Sequence, residues 1–129
     1  MAESACLCEL VLDFAGGLED LTINQNKLIK LTILDESVTV SQLIAYLRRS
    51  VFGAKRELFA HPPEVQGAET SIVKVEGDCP GELNKSEGSN VRAGVLVLVN
   101  DVDWELLGRG SHVLKGEANV SFISSLHGG

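Results

Sequence analysis

From Cys6 to Phe14 the apolar residues Cys6, Cys8, Leu10, Leu12 and Phe14 fall on one face, opposite Glu9 and Asp13. That period of two predicts a strand with one buried side. Gly16-Gly17 breaks the run, and a loosely patterned connection passes through Asn24 and Asn26. A second strand is predicted from Leu28 to Leu34, where Ile29, Leu31 and Ile33 alternate with Lys30 and Thr32. The two strands are expected to form an antiparallel hairpin.

The period then changes. Val40, Leu43, Ile44, Leu47 and Val51 are spaced by three and four, one apolar stripe on a helix. Thr39 suits the N-cap, with Gln42 three residues on as its capping-box partner. Arg48 and Arg49 lie where the helix dipole favours cations, and Gly53 provides a stop.

Between His61 and Asn90 the pattern fades. All three prolines (Pro62, Pro63 and Pro80) fall there, with four glycines and six acidic residues against two lysines. A short strand or edge hairpin is expected at Thr70 to Val75, and the remainder reads as solvated surface loop, an unusually long one for a compact domain. Periodicity returns with Val95-Leu96-Val97-Leu98-Val99, continuously apolar and so predicted to be a central strand buried on both faces. Asn100 to Asp103 is a turn cluster. A short strand from Trp104 to Leu107 and a last strand from Asn119 to Ser124 follow. One helix crossing one mixed sheet, between the second strand and a central one, gives a two-layer α+β roll.

Composition narrows the function. A length of 129 residues fits a single domain spanning 1–129, and 44% hydrophobic residues exclude disorder across the whole chain. The net charge of −7 leaves no basic track for nucleic acid and disfavours an anionic membrane surface. No apolar run reaches the length of a membrane span. Three cysteines cannot all enter a closed disulfide framework, so a reducing compartment is expected: the cytoplasm, with the nucleus also open.

Catalytic chemistry is hard to assemble. His61, His112 and His127 share no metal-ligand spacing, so neither a metal site nor a bound cofactor is expected. Cys6 and Cys8 read as buried hydrophobes, and Cys79 lies among acidic residues that give a thiolate no help. Gly108-Arg109-Gly110 lacks the rest of a phosphate-binding loop. Asp101 and Asp103 belong to a turn, where they satisfy backbone donors. The reading is of a protein that is not an enzyme.

The unusual feature is the end, Leu126-His127-Gly128-Gly129. Two glycines can enter a narrow channel extended, and they present an unhindered carboxylate that an ATP-using partner could adenylate. The segment at 125–129 is expected to be a flexible tail.

Three stretches carry a resemblance: Val91-Arg92-Ala93-Gly94, then Asp101-Val102-Asp103-Trp104-Glu105-Leu106-Leu107-Gly108, then Phe122 through Leu126-His127-Gly128-Gly129. In these the chain resembles the ubiquitin-related modifier family of eukaryotic sulfur carriers. The resemblance implies a β-grasp, ubiquitin-like roll, from which this chain departs by a long acidic loop insertion at about 61–90. It implies that a ubiquitin-activating-enzyme-like protein with a rhodanese domain adenylates Gly129, using its own ATP, and converts it to a thiocarboxylate. That group would donate sulfur, through a separate thiolase complex, for 2-thiolation of the wobble uridine of cytoplasmic transfer RNA. Attachment to lysines of target proteins is a second implied role. Leu126, His127 and Gly128 would serve tail recognition, and Arg92, Trp104, Leu106 and Leu107 could form a partner surface. A monomer without direct nucleic-acid binding is expected. Family members commonly carry proline at the position of Ala93 and threonine at that of Ser125. A non-covalent β-grasp adaptor and a small molybdopterin-synthase-like sulfur-carrier subunit are the alternatives.

Overall fold

A computed structural model describes residues 7–67 and 71–125. In chain order the strands are β1 (Cys8–Ala15), β2 (Leu28–Ile33) and β3 (Ser37–Thr39), followed by helix α1 (Val40–Ser50). Then come β4 (Glu64–Val65), β5 (Ile72–Gly77), β6 (Gly81–Asn84), β7 (Glu87–Gly88) and β8 (Val95–Val99). The last are β9 (Val102–Asp103), β10 (Val113–Lys115) and β11 (Glu117–Ser124). Seven strands make one mixed sheet in the order β6-β5-β2-β1-β11-β8-β9, with β10–β3 and β4–β7 as separate pairs. This is the β-grasp roll, a mixed sheet with one long helix against it.

The period-two residues of β1 do what alternation predicts. Cys8, Leu10, Leu12 and Phe14 are buried, and β2 adds Ile29, Leu31 and Ile33 to the same side. β1 and β2 pair antiparallel as expected. The sheet's parallel pair joins β1 to β11, the first strand to the last, with β2 antiparallel to both of its neighbours. The expected parallel link from the second strand is therefore replaced by one from the first.

Helix α1 lays Val40, Leu43, Ile44 and Leu47 on the sheet. Its capping box is complete: the Thr39 hydroxyl accepts from the Gln42 backbone N–H, and the Gln42 side chain accepts from the Thr39 N–H. The helix stops at Ser50, just ahead of Gly53. At this end Phe52 stacks on Phe59 with centroids 4.1 Å apart, and Phe59 meets Phe122 at 5.3 Å. Phe122 in turn stacks on Phe14. All four phenylalanines of the chain thus converge beneath the ends of β1 and β11.

Three further expectations need correction. The 61–90 segment is not mainly solvated loop: β5 and β6 form a hairpin that extends the sheet beyond β2. Val75 and Leu83 enter the core, and the Tyr46 hydroxyl donates to the Cys79 carbonyl at 2.6 Å. Gly77 permits the junction, since a Cβ there would stand 2.3 Å from the Lys30 carbonyl oxygen. The outer edge of β6 turns onto the helix, where Arg49 donates to the Glu82 carbonyl and Gln42 to that of Lys85. The added hairpin covers what would have been an open strand edge.

The second correction concerns β8, which lies next to the sheet's short edge strand and not at its centre. Only Val97 and Val99 are buried, whereas Leu96 is 41% exposed. One helix layer covers one face, so even a wholly apolar strand alternates in exposure. The third concerns Trp104 to Leu107. Asn100 and Asp101 both take positive φ (50° and 69°), closing a two-residue hairpin turn. β9 then ends after Asp103, whose carboxylate accepts from the Glu105 N–H and caps a 3-10 turn over Trp104–Leu106.

Candidate functional site

The residues expected to react or to thread, Leu126, His127, Gly128 and Gly129, lie outside the described residues, as does Cys6. The structure defines the place they leave from. The Ser125 backbone N–H donates to the Gly94 carbonyl at 2.8 Å, and its hydroxyl donates to the same oxygen at 3.0 Å. On the other side stands Gly16, at φ +72°, where a Cβ would lie only 2.1 Å from the Ser124 carbonyl oxygen. The base of the tail is held between two glycine turns, above the phenylalanine cluster.

Beside this base the uncovered face of the sheet carries exposed aliphatic side chains among polar ones. Leu96 pairs across with Ile123, and Ile123 with Ala15. In the adjoining row Leu98 faces Ser121, and Leu28 faces Asp13. Further along, Glu9 lies opposite Glu117. Leu28 is 53% exposed. The sequence reading missed this strip because it placed β8 in the interior. The alternation that exposes Leu96 follows from having one helix, a signal available from the element count.

The residues expected to share a partner surface are divided by the fold. Trp104 is buried, with the Arg109 guanidinium 5.1 Å from its ring centroid, and Leu107 packs partly against the core. Leu106 is 80% exposed. Arg92 turns its guanidinium back into the chain: Nη2 lies 3.0 Å from Glu57 Oε1, and Nε donates to the Glu57 carbonyl at 2.8 Å.

Other reactive groups are engaged structurally. Buried Cys8 donates to the Leu114 carbonyl, and its thiol is pushed up by burial and then by the Asp35 carboxylate. Burial and then Asp78 likewise raise Cys79. A polar groove of about 720 Å³ is lined by Ser41, His61, Glu64, Ser89, Arg109 and Ser111 among others. Its hydroxyls are committed as donors to backbone carbonyls, Ser41 to Ser89, Ser89 to His61 and Ser111 to Gly108. Among the described residues no three metal-ligating side chains cluster, and no helix is long and apolar enough to cross a membrane.

The family model described as Urm1 (Ubiquitin related modifier) matches residues 9–129. The chain belongs to the ubiquitin-related modifier family. It is 31% identical to a "Ubiquitin-related modifier 1 homolog" of Drosophila grimshawi, over 94% of this chain and 91% of that one. It is 32% identical to "Ubiquitin-related modifier 1 homolog 1" of Arabidopsis thaliana, over 94% and 99% respectively. Among solved structures, the crystal structure of an Rurm1-related protein from Plasmodium yoelii superposes with a TM-score of 0.76 at 27% identity. That match covers 93% of this chain and 99% of the other. As a ubiquitin-related modifier, the chain is a sulfur carrier and protein modifier and not an enzyme. Membership in the family implies an activating-enzyme-like partner and a thiolase-complex partner.

Proposed function

We propose that Gly129 carries the reacting carboxylate. The partner's adenylation centre joins it to the α-phosphorus of ATP and releases pyrophosphate. The terminal sulfur of a cysteine persulfide on the partner's rhodanese domain then attacks the acyl carbon and expels AMP; a thiolate of the partner cleaves the resulting acyl disulfide, forming a disulfide with the persulfide's cysteine and releasing the thiocarboxylate for 2-thiolation of wobble uridine. Attack by a lysine amine on the same activated carbonyl gives the isopeptide bond of the modifier role. Gly128 provides a slender approach, and Leu126 and His127 seat the tail. The aliphatic pair Leu96 and Ile123, with Leu98 beside it, docks the activating protein, with exposed Leu106 as a further contact. This chemistry belongs in the cytoplasm, where its transfer-RNA substrate is.

The observation that supports this reading most is the family match running through residue 129, onto a tail whose base the fold fixes beside exposed Leu96. Incubated with ATP, a sulfur donor and the activating protein, the intact chain should gain the mass difference of one sulfur for one oxygen. Removing Gly129 should abolish the gain and leave the unfolding midpoint unchanged. If the intact chain shows no gain, the sulfur-carrier assignment of Gly129 is wrong. Activity that survives loss of both terminal glycines would point to a non-covalent adaptor. A tight complex with a large catalytic subunit would point to a molybdopterin-synthase-like carrier.

A further inference from the structure

We propose that the Glu57–Arg92 fork is a positioning device for the tail, fixing where Ser125 stands and therefore where Gly129 can reach. The inference rests on the assignment of Gly129 as the adenylated residue.

Glu57 sits between two arginines. One carboxylate oxygen pairs with Arg48 Nη2, and the other lies 3.0 Å from Arg92 Nη2. The Arg48 side chain is only 9% exposed and also donates from Nε to the Ala60 carbonyl at 3.2 Å, so it gives Glu57 a fixed anchor on the helix. Arg92 adds the Nε bond to the Glu57 carbonyl, and its Nη1 lies 3.0 Å from His61 Nδ1. A guanidinium only donates, so the imidazole Nδ1 is the acceptor there. Backbone bonds run alongside: the Arg92 N–H donates to the Phe59 carbonyl and the His61 N–H to that of Asn90, each at 2.9 Å.

The other end of this assembly is the tail. The Val95 N–H donates to the Arg92 carbonyl at 3.1 Å, closing a turn over Ala93 and Gly94. Gly94 has φ +93°, the third-position geometry of a type II turn. Its carbonyl receives both Ser125 bonds. One turn therefore carries the fork at its first residue and the base of the tail at its third.

A short tether makes this placement matter. Four residues beyond Ser125 span at most about 14 Å when fully extended. When the sheet face is docked, the base of the tail determines the volume that the Gly129 carboxylate samples. A loosened base lowers its effective concentration in the partner's adenylation site without removing any docking contact. The effect should fall on turnover and spare KM.

The test is ATP–pyrophosphate exchange by the activating protein with Arg92→Gln and Glu57→Gln carriers, beside amide hydrogen exchange at Ser125 in each carrier alone. For Arg92→Gln, kcat should fall about five-fold with KM changed less than two-fold. Exchange at Ser125 should quicken about ten-fold, because the local opening that frees it costs less. Glu57→Gln should act in the same direction. Adding Ala93→Pro to Arg92→Gln should restore most of the lost kcat, since proline favours the second position of that turn and stiffens it without the fork. A loss lying wholly in KM would make Arg92 a partner contact and overturn the proposal. Unchanged Ser125 exchange, or no rescue by proline, would overturn it too. If the unaltered carrier supports no pyrophosphate exchange, the assignment of Gly129 fails on its own. Ser125 exchange in the isolated carrier still decides whether the fork holds the tail.

Discussion

Trp104 and Leu106 are two positions apart and have opposite environments. The indole is 3% exposed and lies under Arg109, whereas the leucine is 80% exposed. Trp104→Ala should cost about 3–5 kcal/mol in urea-induced unfolding, the usual result of emptying an aromatic site in a core. Leu106→Ser should stay within about 0.5 kcal/mol and act, if at all, on KM for the activating partner. Residue identity alone did not separate them, because a strand at this point would have put both on one face. Asp103, which caps the turn there, was legible as a residue that satisfies backbone donors. Arg92 was visible as a charge, but its partner Glu57 is 35 positions away, and no local pattern pairs them. The turn above the tail also bears on the two positions where the resemblance implies proline and threonine. Ala93 occupies the second position, which proline suits, and Ser125 keeps the hydroxyl that threonine would offer to Gly94.

At the level of elements, strong periodicity was reliable. β1, β2 and α1 follow from apolar spacing, and the capping box of α1 was readable from Thr39 and Gln42. The hairpin β5–β6 was only partly legible. Its strands are short, and Gly77 and Pro80 read as breakers although they shape the junction and the turn. The consequence is measurable. Replacing residues 71–86 with a short flexible linker would be harmless if they formed a solvated loop. With Val75 and Leu83 in the core and Tyr46 donating to Cys79, excision should instead lower the calorimetric midpoint by more than about 5 °C, since each buried aliphatic side chain removed costs about 2 kcal/mol or more.

Across the whole molecule, the pH dependence of stability has two flanks. The Lys85 ammonium bonded to Asp35 holds that carboxyl below its ordinary value. Its contribution is present above the ordinary aspartate pKa of about 3.9 and is lost as pH falls through the lower folded value. Burial raises the Cys8 and Cys79 thiols and the Tyr46 phenol. The unfolded chain ionises these groups first. Their stabilisation is therefore complete below the ordinary thiol range, near pH 8.5, and declines as pH rises through the folded values. Urea midpoints measured from pH 3 to 11 should show a plateau between about pH 5 and 8. Lys85→Met should flatten the acid flank.

The pairing of β1 with β11 also sets the order of events during synthesis. β1 is made first among the described strands, but its parallel partner is made last, with over a hundred residues between them. Contacts so distant in sequence slow folding and leave the nascent sheet in two parts, with β8 and β9 not joined to β1, until β11 emerges. A chain interrupted before that strand lacks Val120 and Phe122 from its core and leaves an edge of β1 unpaired, so it should be more open to proteases. Truncation should thus be censored by the fold: a chain ending before Glu117 should be cleared by a protease concentration that spares the full-length carrier, and so should not compete for the activating partner.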